Sequence, residues 1–180
     1  MSISARVLLV FLCSIWASPS TAVSLDEVVA QHRQSVIFIK VQKVNPTNGA
    51  ITEETGTGFV VHRDGFVITS AHVVAGSGAS QVDVRGAPGS REGALEGMEV
   101  LIESSNLDVA VLRFKNTSIV RNPIPIGDPW SLSSSATVYS MGFPGREEWF
   151  HTEGRLSGKV GPKGSWNTTL VLNPGMSGGP

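Results

Sequence analysis

Cysteine is almost missing from this 180-residue chain: the single one is Cys13. It falls in residues 1–22, which read as a secretory signal, so a processed chain would hold no thiol. Disulfides and thiol catalysis are then excluded, although an exported protein could have used disulfides. The fold has to rest on core packing. An excess of charge of one sign is missing too. Lys and Arg number 14 and Asp and Glu 15, for a net charge of −1. No strongly basic surface argues for nucleic acid, and no acidic tail is present. The longest apolar run, Val7 to Ala17, is too short to span a bilayer comfortably. No clustered His, Cys and acid spacing suggests a metal site, and no cofactor is expected. There is no internal repeat and no low-complexity tract.

What is present is globular. Hydrophobic residues make up 41% and charged residues 16% of the chain. That is core material for one domain, or for two small subdomains sharing one active site. The 20 glycines and 10 prolines suit an all-β protein with many turns. At the start, Arg6 gives a positive region, Val7 to Ala17 an apolar one, and Ser20-Thr21-Ala22 small residues, so cleavage is expected after Ala22. The expected location is an exported one, periplasmic or secreted, with no stable membrane insertion after cleavage. Ser24 and Glu27 have capping-box spacing ahead of a short helix reaching about Gln34. Strands are predicted at Ser35 to Val41, Thr57 to His62, Phe66 to Thr69, Gln81 to Arg85, Met98 to Glu103 and Val109 to Phe114. Asp64-Gly65 signals a hairpin. Lys115 to Trp130, with Pro123, Pro125 and Pro129, reads as a linker. A second β-rich half follows at Ala136 to Met141, Trp149 to Ser157 and Thr168 to Leu172.

Three segments carry the chemistry: Thr69-Ser-Ala-His72-Val-Val, Asn106-Leu-Asp108-Val-Ala-Val-Leu112, and Asn173-Pro-Gly-Met-Ser177-Gly-Gly-Pro180. Their order, His then Asp then Ser, is that of chymotrypsin-type barrels and differs from subtilisin and α/β-hydrolases. A serine hydroxyl is a poor nucleophile at neutral pH and needs a base. His72 can take its proton and return it to the leaving amine. Asp108, expected to be held by a buried strand, can accept the other imidazole N–H and fix the tautomer. The glycines beside Ser177 allow a tight turn aiming the Gly175 and Ser177 N–H groups at one point. Each such oxyanion donor contributes about 3–4 kcal/mol to transition-state stabilisation. His32, His62 and His151 lack such a context and are given no role. Asn116-Thr-Ser and Asn167-Thr-Thr match the glycan acceptor pattern, with no glycan expected.

These segments resemble the trypsin-like peptidase superfamily, and within it the bacterial HtrA/DegP-like branch. Thr55-Gly-Thr-Gly-Phe-Val-Val61, Asp64-Gly-Phe-Val-Ile-Thr69 and His72-Val-Val74 resemble the branch's opening hairpin and catalytic His. Leu107 to Leu112 resembles its Asp segment, Gly142-Phe-Pro-Gly145 the turn opening its second barrel, and Leu172 to Pro180 its nucleophile loop. The resemblance spans about residues 25–180. It implies two antiparallel six-stranded barrels with the site between them: a complete N-terminal one with a leading helix over residues 23–118, and a linker plus partial C-terminal one over 119–180. It implies a serine endopeptidase working on polypeptide substrates through an acyl-enzyme, with a role in envelope protein quality control and a homo-oligomer by analogy.

Two departures matter. Met176 replaces the aspartate that digestive trypsins pair with a newly cut N-terminus, so activation by that route is not expected. The family also continues for several strands beyond the position of Pro180, so the sequence is read as truncated, or as completed from elsewhere. Val171 and Leu172 resemble the base of the P1 pocket. No acid sits there, which implies a small or medium apolar P1 residue. Two alternatives stand beside the protease: a catalytically inactive fragment, and a polypeptide-binding, chaperone-like module that keeps the fold.

Overall fold

The computed structural model describes residues 24–76, 81–119, 122–159 and 165–180. The secretory signal expected over residues 1–22 therefore lies outside the described residues. The first element, α1 (Leu25–His32), starts where the sequence sets it. Ser24 caps it through its side chain and Glu27 returns a bond to the Ser24 N–H at 2.8 Å. Both bonds are local, so the start follows from four consecutive residues. No helix of the described residues is long and apolar enough to cross a membrane.

Six strands then close a barrel: β1 (Val36–Val44), β2 (Ile51–Val60), β3 (Phe66–Thr69), β4 (Gln81–Pro88), β5 (Glu96–Ser104) and β6 (Val109–Phe114). Their order around it is β1-β2-β3-β6-β5-β4. Between β3 and β4 sits one helical turn, α2 (Ala71–Val74). Alternation on β1 sends Ile37, Ile39 and Val41 into the barrel, where they meet Val60, Val67, Leu112 and Phe114. Burying each large aliphatic or aromatic group contributes about 1.5–3 kcal/mol. Val36 and Phe38 face the other way, into a second cluster with Ala87, Met141 and Phe143. The start of β1 is thus buried on both faces. That two-sided burial joins the barrel to the second half of the chain.

The second half forms a three-stranded antiparallel sheet of β7 (Thr137–Gly142), β8 (Phe150–Gly158) and β9 (Asn167–Thr168), with β8 central. A barrel plus a smaller partial sheet is the mostly-β architecture the sequence predicts.

Two strands differ from expectation. β2 begins at Ile51, six positions earlier than Thr57. Residues 51–55 are exposed, so their polar sequence conceals a strand held by β1 and by the Lys40–Glu53 and Lys43–Glu54 pairs. β9 stops at Thr168 instead of running to Leu172. After it, Thr169 takes both bonds to Arg155, one through its N–H and one through its hydroxyl (each 2.9 Å). A side chain thus replaces a backbone partner, and the ladder ends.

Candidate active site

His72 lies on α2, directly after β3. Ala71, Val73 and Val74 are buried and anchor the turn, which leaves the His72 side chain at the surface. Asp108 closes the turn between β5 and β6, one residue before β6 begins. Its φ is +52°, a left-handed conformation that aspartate tolerates better than most residues because its short polar group bonds locally. That conformation turns the carboxylate onto the first turn of α2. Oδ2 lies 2.8 Å and Oδ1 3.0 Å from His72 Nδ1, and Oδ1 accepts the His72 backbone N–H at 3.0 Å. The backbone N–H of His72 is the largest cause holding the Asp108 carboxyl below its ordinary range, with the His72 ring adding to it.

The expectation of a buried Asp108 needs correction. Its side chain is 50% exposed and that of His72 57%. Asp108 sits in the turn and not within β6, so it is held by hydrogen bonds instead of by an apolar wall.

The Ser177 loop consists of two consecutive tight turns. In the first, the Met176 N–H bonds back to Asn173 O at 3.0 Å, with Pro174 and Gly175 between. In the second, the Gly179 N–H bonds to Met176 O at 2.9 Å, with Ser177 and Gly178 between. Gly175 has φ +100° and Gly178 φ +82°. Each fills the third position of its turn, where type II geometry requires positive φ and so glycine. There is no room for a side chain either. A Cβ on Gly178 would lie 2.2 Å from Thr69 Oγ1, and one on Gly175 2.7 Å from Phe143 O.

The orientation of the loop's N–H groups follows from its carbonyls. In a trans peptide the C=O and the next N–H point in opposite directions. Pro174 O is held by the Gly145 N–H at 2.9 Å, and Met176 O by the Gly179 N–H. The next N–H groups, of Gly175 and Ser177, are therefore turned away from these bonds. Among the described residues, neither donates a backbone hydrogen bond. Gly145, given no site role from sequence, thus orients one of them. Its signal was present as the second glycine of Gly142-Phe-Pro-Gly145, but its partner is remote in the chain.

The Ser177 loop docks on the barrel edge beside Ser70, the residue just before the turn that bears His72. Ser177 O accepts the Thr57 N–H at 2.9 Å. Gly178 packs so tightly on Ser70 that an added Cβ would lie 2.5 Å from the Ser70 N. Among the described residues, no hydrogen bond joins Ser177 Oγ to His72. Ser70, Ser140, Leu172, Asn173, Pro174 and residues 176–179 line a cleft of about 500 Å³, and none of these described residues is charged. Leu172 is 61% exposed and lines it. Val171 is equally exposed and does not line it. Met176 is buried, with its side chain against Gly142. Among the described residues, no group of three or more His, Cys, Asp or Glu side chains could hold a metal ion.

The family profile of the trypsin-like peptidase domain matches residues 56–180. The chain belongs to the trypsin-like peptidase family. Among named relatives, this trypsin-like peptidase is 30% identical over 152 residues to "Protease Do-like 5, chloroplastic" of Arabidopsis thaliana, across 74% of the chain and 45% of that protein. It is 31% identical over 152 residues to the "Putative serine protease HhoB" of Synechocystis sp., across 77% of the chain and 34% of that protein. It is 28% identical over 144 residues to the "Magnetosome formation protease MamE" of Magnetospirillum gryphiswaldense, across 76% of the chain and 18% of that protein. The chain thus spans less than half the length of these relatives. They bear out the resemblance to HtrA/Do-like serine proteases.

Proposed function

We propose that the chain is a serine endopeptidase in which Ser177 is the nucleophile, His72 the general base and Asp108 the residue that orients it. The observation that carries this reading is the double hold of Asp108 on His72 at the barrel edge where the Ser177 loop docks. Asp108 occupies Nδ1, so Nε2 is the nitrogen left to take the Ser177 proton. Ser177 Oγ attacks the peptide carbonyl carbon, and the oxyanion is received by the Gly175 and Ser177 N–H groups. His72 then gives its proton to the leaving amine. Water, activated by the same nitrogen, hydrolyses the acyl-enzyme.

The substrates are polypeptides with a small or medium apolar P1 residue beside Leu172, in keeping with the uncharged cleft. The signal-like residues 1–22 favour work in an exported compartment, and a role in envelope protein quality control is the expectation by analogy. A homo-oligomer remains the expectation by analogy. The test is labelling by a fluorophosphonate probe and hydrolysis of casein, wild type against Ser177→Ala. Label on wild type and none on Ser177→Ala supports the assignment. Equal labelling or equal hydrolysis removes Ser177 from the role, and polypeptide binding without labelling favours a chaperone-like module.

A further inference from the structure

Thr57 is a polar residue with no exposed surface at all; every polar atom it carries is engaged, and its N–H and hydroxyl reach the second half of the chain. It lies on β2. Beside it, β2 pairs with β1 along one edge, Thr57 facing Phe38. On the other edge the pairing with β3 starts only at Gly58. Thr57 is therefore the last residue of β2 before that pairing begins, and the nucleophile loop takes its second edge. The Thr57 N–H donates to Ser177 O at 2.9 Å. Thr57 O accepts from Thr69 Oγ1 at 2.6 Å, three residues before His72.

The side chain extends the same junction. Thr57 Oγ1 donates to Gly175 O at 2.8 Å and accepts the Phe143 N–H at 3.1 Å. A hydroxyl has one proton to give, so the two bonds fix its rotor. One residue thus joins the segment bearing His72, the loop bearing Ser177, and the 142–145 turn whose Gly145 N–H holds Pro174 O.

We infer that Thr57 is a positioning residue for the oxyanion site, an inference that rests on the proposed protease chemistry. The Gly145 bond fixes the peptide before Gly175, and the Thr57 hydroxyl fixes the peptide after it. Between two fixed peptide planes, φ and ψ of Gly175 are both set, and so is the direction of its N–H. Glycine itself cannot hold them, since it has the widest conformational freedom of any residue. Without the hydroxyl the Gly175–Met176 peptide keeps only the bond from the Met176 N–H to Asn173 O, and the Gly175 donor loosens from the place where the oxyanion forms.

The test compares Thr57→Val, which keeps the shape and removes the hydroxyl, with Thr57→Ser, which keeps the hydroxyl. Hydrogen exchange over residues 173–179 reads the loop whether or not the chain is active. Fluorophosphonate labelling and a kcat against KM split read the chemistry. The Val variant is expected to exchange faster in this loop and to label about 10²-fold more slowly, the scale for a small misplacement of a reacting group. Its kcat falls while KM holds, because the lost interaction acts in the transition state. The Ser variant stays close to wild type in all three. A folded Val variant with unchanged exchange and labelling overturns the inference. Should Val fail to fold, Thr57→Cys replaces it, its thiol being a weak donor and acceptor. Cys is then expected to loosen the loop relative to Ser, and equal loops in the two would overturn the inference. An unlabelled wild type refutes the protease reading instead, and leaves the exchange comparison to decide whether Thr57 holds the loop.

Discussion

Asp108 holds His72 at two points, the ring Nδ1 at 2.8 Å through Oδ2 and the backbone N–H at 3.0 Å through Oδ1. The backbone bond fixes where the residue sits and the ring bond fixes how the imidazole is turned. One carboxylate does both because the left-handed backbone at Asp108 faces it toward the start of α2.

Asp108→Asn separates these two tasks. Asparagine tolerates the left-handed conformation, and its amide oxygen can still accept the His72 N–H. The expected fold is unchanged, with a superimposable far-ultraviolet circular dichroism spectrum. The rate of fluorophosphonate labelling is expected to fall about 10⁴-fold, because an amide favours the wrong imidazole tautomer. A fall of less than tenfold would remove Asp108 from the orienting role.

Acid stability follows from the same carboxylate. Its folded pKa is depressed, first by the His72 N–H. A depressed carboxyl adds stability above its unfolded pKa, roughly 3.9, and loses it as pH falls through the lower folded value. The stability gap between wild type and Asp108→Asn is therefore expected to be flat from neutral pH down to about pH 5 and to close below it. With half of the side chain exposed, the gap is small. Urea titrations at stepped pH measure it, and a gap that widens on acidification would contradict the assignment.

Gly178→Ala tests the docking of the nucleophile loop. The new Cβ meets Thr69 Oγ1 and Ser70 N at 2.2 and 2.5 Å, with φ at +82°. The strained backbone alone costs about 1–3 kcal/mol, and the contacts force the loop off the barrel edge. We expect a lowered thermal midpoint and loss of fluorophosphonate labelling. Wild-type labelling would show that the loop does not need this seat.

Leu172 lines the cleft beside Ser177, together with the apolar Pro174 and Met176. Leu172→Asp places a carboxylate among described lining residues that carry no charge. Cleavage of a mixed peptide library is expected to shift from apolar toward Lys and Arg at P1. An unchanged profile would place the specificity-determining wall elsewhere.

Some of this was legible along the chain and some was not, for physical reasons. The capped start of α1 was readable because Ser24 and Glu27 satisfy each other within one turn. The barrel strands rich in β-branched residues were readable because both their propensity and their apolar face mark them. The first half of β2 was not, because exposed polar residues are held there only by a neighbouring strand. Residues 169–172 misled in the opposite direction. Their apolar sequence reads as a strand, but Val171 and Leu172 stay at the surface and Thr169 ends the ladder through its hydroxyl.

His72, Asp108 and Ser177 stand out in the sequence as candidates, because each lies in a short segment whose local chemistry is already specific. So does the need for glycine at 175 and 178, since tight turns impose it locally. The tertiary structure alone decided the rest. It put Asp108 in a half-exposed turn, turned two N–H groups by holding the carbonyls before them, and made Thr57 the meeting point of the strand leading to His72 and the loop bearing Ser177. These include relationships between residues more than 100 positions apart, such as Thr57 and Ser177, and no periodicity or local propensity carries information about which remote donor will satisfy which buried carbonyl.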